Sequence, residues 1–457
     1  MKRIAIVALL FPPIQQIGAR RPLRLANYLV EQGNDVTVYA VHPRTPALDS
    51  YCRVDASLLG GIDSRVRVVR TPSFHGSKIL LGWRDRVRRW RSGTASGHVK
   101  PTAEGPAAEM TQSKESAPGT GLKEAISRLM DVFDVPDTFS GWIVTTLPVI
   151  LARSIGKRPD AIYVTAPPWS PLVLAVLAGK ILHVPVHVDF RDPWTVNPYV
   201  KATPTSTKIE RWVLRNSHSI IANTESMAED FRRACPALSD RVLTLYNGYE
   251  EATRRRIEDM ARRVARDPGG PFVVSHVGTL YPARMPRAMA RLLASVAQQW
   301  RVARPIRFRF IGPVWEPAPL LEEFAAAGVS SAVQLAGEVS SEQALVETVS
   351  ADVLLLLQLG TRQQVPAKIF EYAFSGNPLL CAADRDSETL RLVAGYGLGK
   401  VIDEQTDSRD VLDYLVSLAD RRSDTSPGPR FLGDFDGSHL AQQMARVMAG
   451  ENVTIQV

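Results

Sequence analysis

Residues 351–381 read ADVLLLLQLGTRQQVPAKIFEYAFSGNPLLC, and this stretch indicates the fold of the chain. Val353 to Leu357 is an apolar run, too short to cross a membrane and typical of a strand buried on both faces of a parallel sheet. A polar loop follows and ends at Pro366, a residue favoured at the first position of a helix. Residues 367–375 are predicted to form that helix, which Gly376 ends. We therefore expect a strand, loop and helix of an α/β sheet.

The predicted helix carries two charged side chains three residues apart. Lys368 and Glu371 share a face with Tyr372 and Ser375. A lysine in the first turn opposes the helix dipole by roughly 0.3–1 kcal/mol, and a bound anion such as phosphate would remove that conflict. Lys368 is therefore a candidate anion-binding residue. The alternative is that Lys368 is solvated and pairs with Glu371.

The segment VPAKIFEYAFSGNPLL resembles the P-x-K-x-x-E-Y-x-x-x-G-x-P segment of GT-B glycosyltransferases of the family 4 type. The resemblance implies that Pro366, Lys368 and Glu371 bind a nucleotide-diphosphate sugar, with Glu371 on the ribose. An acidic residue eight positions before that glutamate contacts the transferred sugar in the family. Here the position holds Gln363, which can hydrogen-bond a sugar hydroxyl but carries no negative charge.

Composition is compatible with a globular enzyme of this kind. The 457 residues predict two or three domains, and 45% hydrophobic with 22% charged residues is an ordinary globular composition. Three widely spaced cysteines indicate neither a disulfide framework nor a zinc site, so a cytoplasmic protein is expected. The net charge of +8 comes from the front, where residues 1–100 hold 17 Lys and Arg against 6 Asp and Glu. We expect no signal peptide, no transmembrane helix and no nucleic-acid partner.

The opening of the chain predicts a strand, a loop, an amphipathic helix and a second strand. Residues 11–41, FPPIQQIGARRPLRLANYLVEQGNDVTVYAV, resemble the N-terminal segment of GT-B transferases. In those enzymes a glycine-bearing loop lets backbone N–H groups approach the donor diphosphate. Gly18 is the glycine of this loop, so the resemblance assigns it that role. The alternative is that Gly18 only turns the chain.

Two segments of the front half differ from the rest. Residues 78–91 are predicted as a basic amphipathic helix bearing Trp83 and Trp90, which either lies on an anionic membrane surface or packs into its own domain. Residues 92–121 lack Ile, Leu, Phe, Tyr and Trp and are rich in small and polar residues. They are expected to form a disordered insertion within the first domain.

A third motif, DFRDPW at residues 189–194, follows a predicted buried strand. Its setting resembles family 4-like transferases for surface polysaccharides. Ligands of open α/β sheets bind at this end of a strand, so Asp189, Arg191 and Asp192 are expected to project toward an acceptor. One carboxylate is a candidate to take the proton of the acceptor hydroxyl, and Arg191 to hold an acceptor phosphate. In the alternative Arg191 pairs with Asp192 or another neighbour for structural reasons.

The second half alternates strands and helices from Phe272 onward, which predicts a parallel doubly wound sheet. HVGTLYPARMP, at residues 276–286, resembles the G-x-L loop of the family, which contributes Gly278 and a cation for the diphosphate. Thr279 stands at the usual arginine position, so Arg284 is the candidate cation. Gly337 begins the loop expected to face the nucleobase.

These observations predict an α/β protein of GT-B fold, with two Rossmann-like doubly wound parallel-sheet domains facing across a cleft. The expected parts are an acceptor-side domain at 1–253, a linker at 254–271, a nucleotide-sugar-binding domain at 272–430, and a C-terminal helix at 431–457 returning toward the first domain.

The resemblance also implies an activity. We expect a hexosyltransferase that moves sugar from a UDP- or GDP-linked donor to a hydroxyl of a saccharide or lipid-linked acceptor, in polysaccharide or glycoconjugate biosynthesis. Retention of anomeric configuration, no metal and no other cofactor are expected, in the cytoplasm or at the inner face of the membrane. The alternatives are an enzyme like the nucleotide-sugar 2-epimerases and a catalytically silent GT-B scaffold at a membrane assembly site.

Overall fold

The computed structural model describes residues 1–48, 52–74, 135–196, 202–264, 269–419 and 425–451. The predicted amphipathic helix at 78–91 and the predicted insertion at 92–121 lie outside these residues. The described residues divide into two compact units. Unit 1 holds those of Met1–Asn223, Met227–Leu245 and the chain from Ala441, and unit 2 holds Thr224–Ser226 and Tyr246–Leu440.

Unit 1 is organised around a seven-stranded sheet whose strand pairs are all parallel. The strands of the unit are β1 Arg3–Val7, β2 Ile14–Gln15, β3 Asp35–Val41, β4 Arg53–Val54, β5 Arg67–Thr71, β6 Ala161–Ala166, β7 Val186–Phe190, β8 Ser219–Ala222 and β9 Val242–Thr244. The sheet order is β5-β3-β1-β6-β7-β8-β9, while β2 and β4 form a separate antiparallel pair. The order therefore reverses between β1 and β6, as in doubly wound folds.

Helices flank the strands of unit 1. They are α1 Arg20–Glu31, α2 Ser140–Ser154, α3 Ser170–Leu182, α4 Pro204–Arg215 and α5 Glu225–Ala234. Helix α1 buries Leu25, Ala26, Leu29 and Val30 at helical spacing, as expected for the amphipathic helix that the sequence predicts. Helix α4 begins where the Thr203 hydroxyl accepts the Ser206 N–H and the Ser206 hydroxyl accepts the Thr203 N–H.

Unit 2 contains a six-stranded sheet, again with every pair parallel. Its strands are β10 Phe272–Val277, β11 Ile306–Ile311, β12 Val333–Gly337, β13 Val353–Gln358, β14 Leu379–Ala383 and β15 Gly399–Ile402. The order β12-β11-β10-β13-β14-β15 reverses between β10 and β13. All six residues of β13 are buried, as expected for a central strand covered on both faces. The structure thus confirms the predicted parallel doubly wound sheet.

Helices cover both faces of this second sheet. They are α6 Glu251–Arg263, α7 Arg287–Gln299, α8 Pro317–Ala326, α9 Ser341–Ser350, α10 Lys368–Phe374, α11 Glu388–Gly395, α12 Ser408–Ala419 and α13 Pro429–Phe435. The next helix, α14 Gly437–Met448, belongs to unit 1 from Ala441 onward. One apolar core lies beneath α7, α8 and α12, and the other beneath α6, α9, α10, α11 and α13.

The second core includes a cluster of aromatic rings. Phe431 and Phe435 of α13 pack against Phe370 of α10 with ring centroids 5.8 and 5.3 Å apart. Tyr396 contacts both α13 rings edge to face at 5.4 Å. Such contacts add about 0.5–1.5 kcal/mol per pair beyond simple burial. Helix α10 is therefore supported by residues near the end of the chain.

The linker predicted at 254–271 is largely helical, because α6 extends through Arg263. Its charges are not a hinge signal: Glu251 accepts hydrogen bonds from Arg254 and Arg255, each at 2.8 Å, within one or two turns of the same helix. Ile257 is buried in the apolar core of unit 2. The prediction of a linker there was wrong because this segment, despite its many charged side chains, packs on the core of unit 2 through Ile257, Met260, Ala261 and Val264.

Candidate functional site

The reversal of strand order in unit 2 marks a candidate ligand site, since open α/β sheets bind ligands outside the carboxyl ends of strands at such a point. Gly278 follows β10 with a φ of 147°. The N–H of Gly312 donates to the carbonyl of Gly337 at 2.7 Å. A Cβ on Gly312 would lie 2.6 Å from the carbonyl oxygen of Gly278. The three glycines therefore line neighbouring strand ends, where backbone rather than side chain is presented.

Arg284 lies in the turn after β10, inside the loop that the sequence predicts. Its guanidinium carbon is 5.4 Å from the centre of the Tyr281 ring. Its Nε is buried without a hydrogen-bond partner, and Arg284 forms no ion pair with a carboxylate in the described ranges. A guanidinium that packs on a ring face and pairs with no carboxylate can still bind an anionic ligand.

Lys368 begins α10 and pairs with Glu371, the two atoms Nζ and Oε2 being 2.6 Å apart. The ion pair that the alternative interpretation predicts is therefore present. Both side chains remain 36% exposed, so the pair is open to exchange with a ligand. The helix starts one residue later than predicted and spans only Lys368–Phe374, while Gly376, with a φ of 71°, stops it as expected. With so short a helix, the lysine charge matters more than the helix dipole.

His276 lies close in sequence to Arg284, near the carboxyl end of β10, although no sequence motif identifies it. It is the penultimate residue of β10 and is 6% exposed. Burial is the main cause that lowers the pKa of His276 to about 4; the positive charges of Arg284 and Lys368 act in the same direction, and the hydrogen bond to the Leu355 carbonyl opposes them. Both cations therefore act electrostatically on the same imidazole, and they follow β10 and β13, which are neighbours in the sheet.

Tyr372 fixes α10 to the end of β10. Its hydroxyl accepts the Val277 N–H at 2.8 Å and donates to the Val277 carbonyl at 3.2 Å. The side chain is fully buried, and Ser375 is also buried, so the face that they share with Lys368 and Glu371 is only partly exposed. Both sides of this short helix are covered, so one helical face could not be assigned as solvent-exposed from spacing alone.

Gln363 and Pro366 lie in the loop between β13 and α10. The carbonyls of Arg362 and Gln364, on either side of Gln363, accept hydrogen bonds at 2.9 Å from the Glu388 N–H and the Thr389 hydroxyl. Gln363 is buried, and Pro366 is half-buried with its carbonyl accepting the Ile369 N–H. The loop is thus fixed in unit 2 at both peptide groups that flank the predicted sugar-binding residue.

In unit 1 the structure brings Gly18 and Arg191 together. The Arg191 Nε donates to the Thr165 hydroxyl at 3.0 Å, and its Nη2 donates to the Pro167 carbonyl. A Cβ on Gly18 would lie 2.8 Å from the Arg191 Cζ and well inside contact distance of Nη1. Gly18 therefore does more than turn the chain: its missing side chain provides the space for a guanidinium.

Asp189 does not project toward a ligand, contrary to the prediction. It is fully buried at the end of β7, where its two oxygens accept hydrogen bonds from Arg21 Nη2 and Nε, both at 2.8 Å. The Tyr163 hydroxyl donates to the same carboxylate. Asp189 is therefore a structural ion pair rather than a catalytic base, and the expectation was wrong because its partner lies 168 positions away in sequence. Arg21 and Tyr163 carried no recognisable motif.

Asp192 is half-buried and lies three residues after Asp189. Near it, Trp194 is buried and stacks on Trp169, with ring centroids 5.1 Å apart and planes within 5°. The Arg191 backbone carbonyl accepts the Asn223 side-chain amide at 2.9 Å. The DFRDPW motif thus mixes packing residues with Arg191 and Asp192, which are the motif's accessible polar side chains.

No cluster of three or more His, Cys, Asp or Glu residues suited to a metal ion occurs within the described ranges of the chain. Nor does any helix in these ranges have the length and apolar character needed to cross a membrane. Two closely spaced carboxylates near the end of the chain, those of Asp434 and Asp436, already have hydrogen-bond partners. Asp434 accepts from the Tyr396 hydroxyl at 2.6 Å, and Asp436 accepts from the His439 N–H at 2.8 Å.

The fold and the sequence can be compared with known proteins. Structurally similar proteins include HepE of Anabaena in complex with UDP and glucose (TM-score 0.58, 13% identity, 98% of this chain and 100% of that chain covered). A glycosyltransferase from Rickettsia africae gives a TM-score of 0.60 at 9% identity, covering 98% of both chains. Sucrose-phosphate synthase from Thermosynechococcus elongatus gives 0.55 at 12% identity, covering 98% of this chain and 99% of that chain. At such low identity these likenesses confirm the GT-B fold alone.

The sequence comparison is more specific about the family. No curated protein sequence matches this chain. The family model described as a glycosyl transferase 4-like domain matches residues 18–248, just over half of the 457 residues. The match includes Gly18 and the DFRDPW motif, which also carry the resemblance in the sequence. The chain belongs to the glycosyl transferase 4-like family and is a glycosyltransferase of GT-B fold.

Proposed function

We propose that this glycosyltransferase binds a nucleotide-diphosphate sugar at the carboxyl ends of β10 and β13 and transfers the sugar to an acceptor hydroxyl. The observation that carries the proposal is the pair of cations, Arg284 and Lys368, which follow the neighbouring strands β10 and β13 at the strand reversal of unit 2. HepE has been crystallised with UDP, with UDP and glucose, and with UDP-glucose. These complexes support a donor of the same class.

The two cations suit the leaving group of such a reaction. As the bond from sugar to diphosphate breaks, negative charge grows on the diphosphate, and a fixed cation contact is worth about 2–4 kcal/mol in the transition state. The exposed Lys368–Glu371 pair is worth only about 0–1 kcal/mol, so a diphosphate can displace Glu371 from the lysine. The displaced carboxylate can then accept hydrogen bonds from ribose hydroxyls, the role that the family resemblance implies.

The remaining predicted residues have complementary roles in the proposal. Gly278 and Pro366 shape the backbone beside the diphosphate, Gly337 faces the nucleobase, and Gln363 orients the sugar. Arg284 and Lys368 supply the positive charge that a divalent ion would otherwise supply, so we propose a metal-independent reaction. Retention of configuration follows from the family resemblance.

On the acceptor side, Arg191 and Asp192 are the residues we assign. Thr165 and Pro167 hold two edges of the Arg191 guanidinium, and Nη1 extends over Gly18. A guanidinium in a fixed position suits a phosphate, and Asp192 is the remaining carboxylate of the motif for the acceptor proton. We infer a saccharide or lipid-linked acceptor in polysaccharide or glycoconjugate synthesis, at the cytoplasmic face of a membrane that residues 78–91 contact.

A panel of UDP, GDP, dTDP and their hexose conjugates tests donor binding by thermal shift. A true donor at about one hundred times its Kd adds about 2.7 kcal/mol to stability, which is readily measured. Lys368→Ala and Arg284→Ala should abolish most of the shift. Arg307→Ala is the matched control, because Arg307 is an exposed cation near the opposite end of β11. A chain that responds to no nucleotide in the panel would support the silent scaffold.

A turnover assay then separates transfer from its alternative. Free nucleotide diphosphate should be released only when an acceptor is added, whereas conversion of the donor to its 2-epimer would identify the epimerase-like activity. Lys368→Ala is expected to lower kcat about 10²- to 10³-fold. Unchanged turnover in Lys368→Ala would show that the lysine does not serve the leaving group.

A further inference from the structure

His276 has one ring nitrogen whose protonation the structure determines. Its Nδ1 lies 3.0 Å from the carbonyl oxygen of Leu355 in β13. A carbonyl only accepts hydrogen bonds, so Nδ1 must carry the proton. In the neutral ring, Nε2 is then an unprotonated acceptor. The hydrogen bond from Nδ1 thus links β10 to β13, and the acceptor atom Nε2 lies toward Gly278 at the end of β10.

Nε2 has no hydrogen-bond partner among the residues that the structure describes, although it is buried. Buried acceptors without a hydrogen bond are rare in folded proteins, so a partner outside the chain is the explanation to test here. A Cβ built on Gly278 would lie 4.0 Å from Nε2 and would meet no other heavy atom within that distance. The space beside the Gly278 turn is therefore open, and it adjoins the imidazole.

The surrounding charges restrict what that partner can be. Burial, with the charges of Arg284 and Lys368, lowers the pKa of His276 to about 4, although the hydrogen bond to Leu355 opposes the shift. The ring is therefore neutral near pH 7. Both phosphates of a nucleotide-diphosphate sugar are esterified on two sides and carry no proton at that pH, so the diphosphate cannot satisfy Nε2. A hydroxyl group can, and both the ribose and the sugar of a nucleotide-sugar carry hydroxyls.

We propose that His276 is a specificity-determining residue whose Nε2 accepts a hydrogen bond from a hydroxyl group of the bound nucleotide-sugar. The inference rests on the proposed function, because it needs the donor to lie at this end of the sheet. The hydroxyl reaches the buried nitrogen by a small shift of the turn at Gly278, where no side chain opposes the movement. Arg284 and Lys368 then hold the phosphates while His276 recognises the hydroxyl beside them.

Two substitutions separate this role from a structural one. In His276→Asn the amide nitrogen can still donate to the Leu355 carbonyl, but no acceptor reaches the Nε2 position. In His276→Gln the longer side chain places an amide oxygen near that position. Loss of one neutral hydrogen bond should weaken binding about 2- to 13-fold in the asparagine variant, with recovery in the glutamine variant. His187→Asn, at another buried neutral histidine in unit 1, is the control.

Isothermal titration with UDP and UDP-glucose identifies the hydroxyl. Equal weakening for both ligands in His276→Asn assigns a ribose hydroxyl, and weakening for UDP-glucose alone assigns a sugar hydroxyl. GDP and GDP-mannose replace them if the unaltered protein prefers guanine. Unchanged affinity for both ligands in a folded His276→Asn, or no recovery in a folded His276→Gln, overturns the inference alone. If the unaltered protein binds none of the four, the proposed function fails as well.

Discussion

Gly18→Ala tests the contact between the first loop and the DFRDPW motif. A Cβ at this position would lie 2.8 Å from the Arg191 Cζ, which is too close for a non-bonded contact. The guanidinium must then move away and give up its hydrogen bonds to the Thr165 hydroxyl and the Pro167 carbonyl. We expect a loss of stability in unit 1 and of any anion binding that depends on Arg191.

The magnitude follows from those two hydrogen bonds. A hydrogen bond from a charged donor contributes about 1.5–3 kcal/mol when fully buried, but Arg191 is half-buried and water can replace part of the loss. Replacing glycine also stabilises by about 0.4–1 kcal/mol through the unfolded chain. The net cost should be about 1–3 kcal/mol. Gly60→Ala is the control, because a Cβ there would meet nothing within 4 Å.

A double-mutant cycle with Arg191→Ala measures the coupling by urea unfolding. The stacked Trp169–Trp194 pair beside the motif provides a near-ultraviolet circular dichroism signal for this region. When the guanidinium is absent, Gly18→Ala should cost nothing further. If the cost of Gly18→Ala is the same in both backgrounds to within about 0.5 kcal/mol, the steric explanation is refuted.

Further predictions concern buried polar groups. Asp189→Leu leaves Arg21 buried without its counter-charge and should lower the free energy of unfolding by about 3–5 kcal/mol, measured in urea. The double variant with Arg21→Met and Asp189→Leu should recover most of this loss. Equal losses in the single and double variants would contradict the ion pair. Tyr372→Phe leaves the Val277 N–H without its acceptor and should cost about 1–3 kcal/mol by the same assay, an unchanged midpoint being the contrary result. Burial lowers the pKa of His187 to about 3. Between pH 6.5 and pH 3 this histidine therefore binds a proton in the unfolded chain but not in the folded one. The free energy of unfolding should fall by about 1.4 kcal/mol for each pH unit over that range. His187→Gln should flatten that slope between pH 7 and pH 5, and an equally steep slope in the variant would refute the assignment.

The order of elements was the most predictable property of the chain. The apolar run before Gln358 and the regular alternation after Phe272 identified β13 and the parallel sheet of unit 2. Arg284 and Lys368 were predicted separately, each from a local motif. That both lie at the same edge of the sheet became visible only in the structure, because the strand order pairs β10 with β13.

Residues whose role depends on a distant partner were not predictable. Asp189 looked catalytic from its place after a strand, and only the position of Arg21 shows that its charge is used internally. His276 sits in an apolar strand with no motif of its own, so its relation to Leu355 could not be inferred. Local patterns therefore predict where elements lie, while long-range hydrogen bonds decide which polar groups remain for ligands.

The aromatic contacts between α13 and α10 have a practical consequence for fragments of this protein. Phe431 and Phe435 are remote in sequence from Lys368, yet they pack against Phe370 on the helix that carries it. A chain cleaved at Gly428 would leave that helix without part of its apolar support. Proteolytic trimming of the C-terminus is thus expected to impair the proposed nucleotide binding while every proposed ligand-contacting residue stays intact.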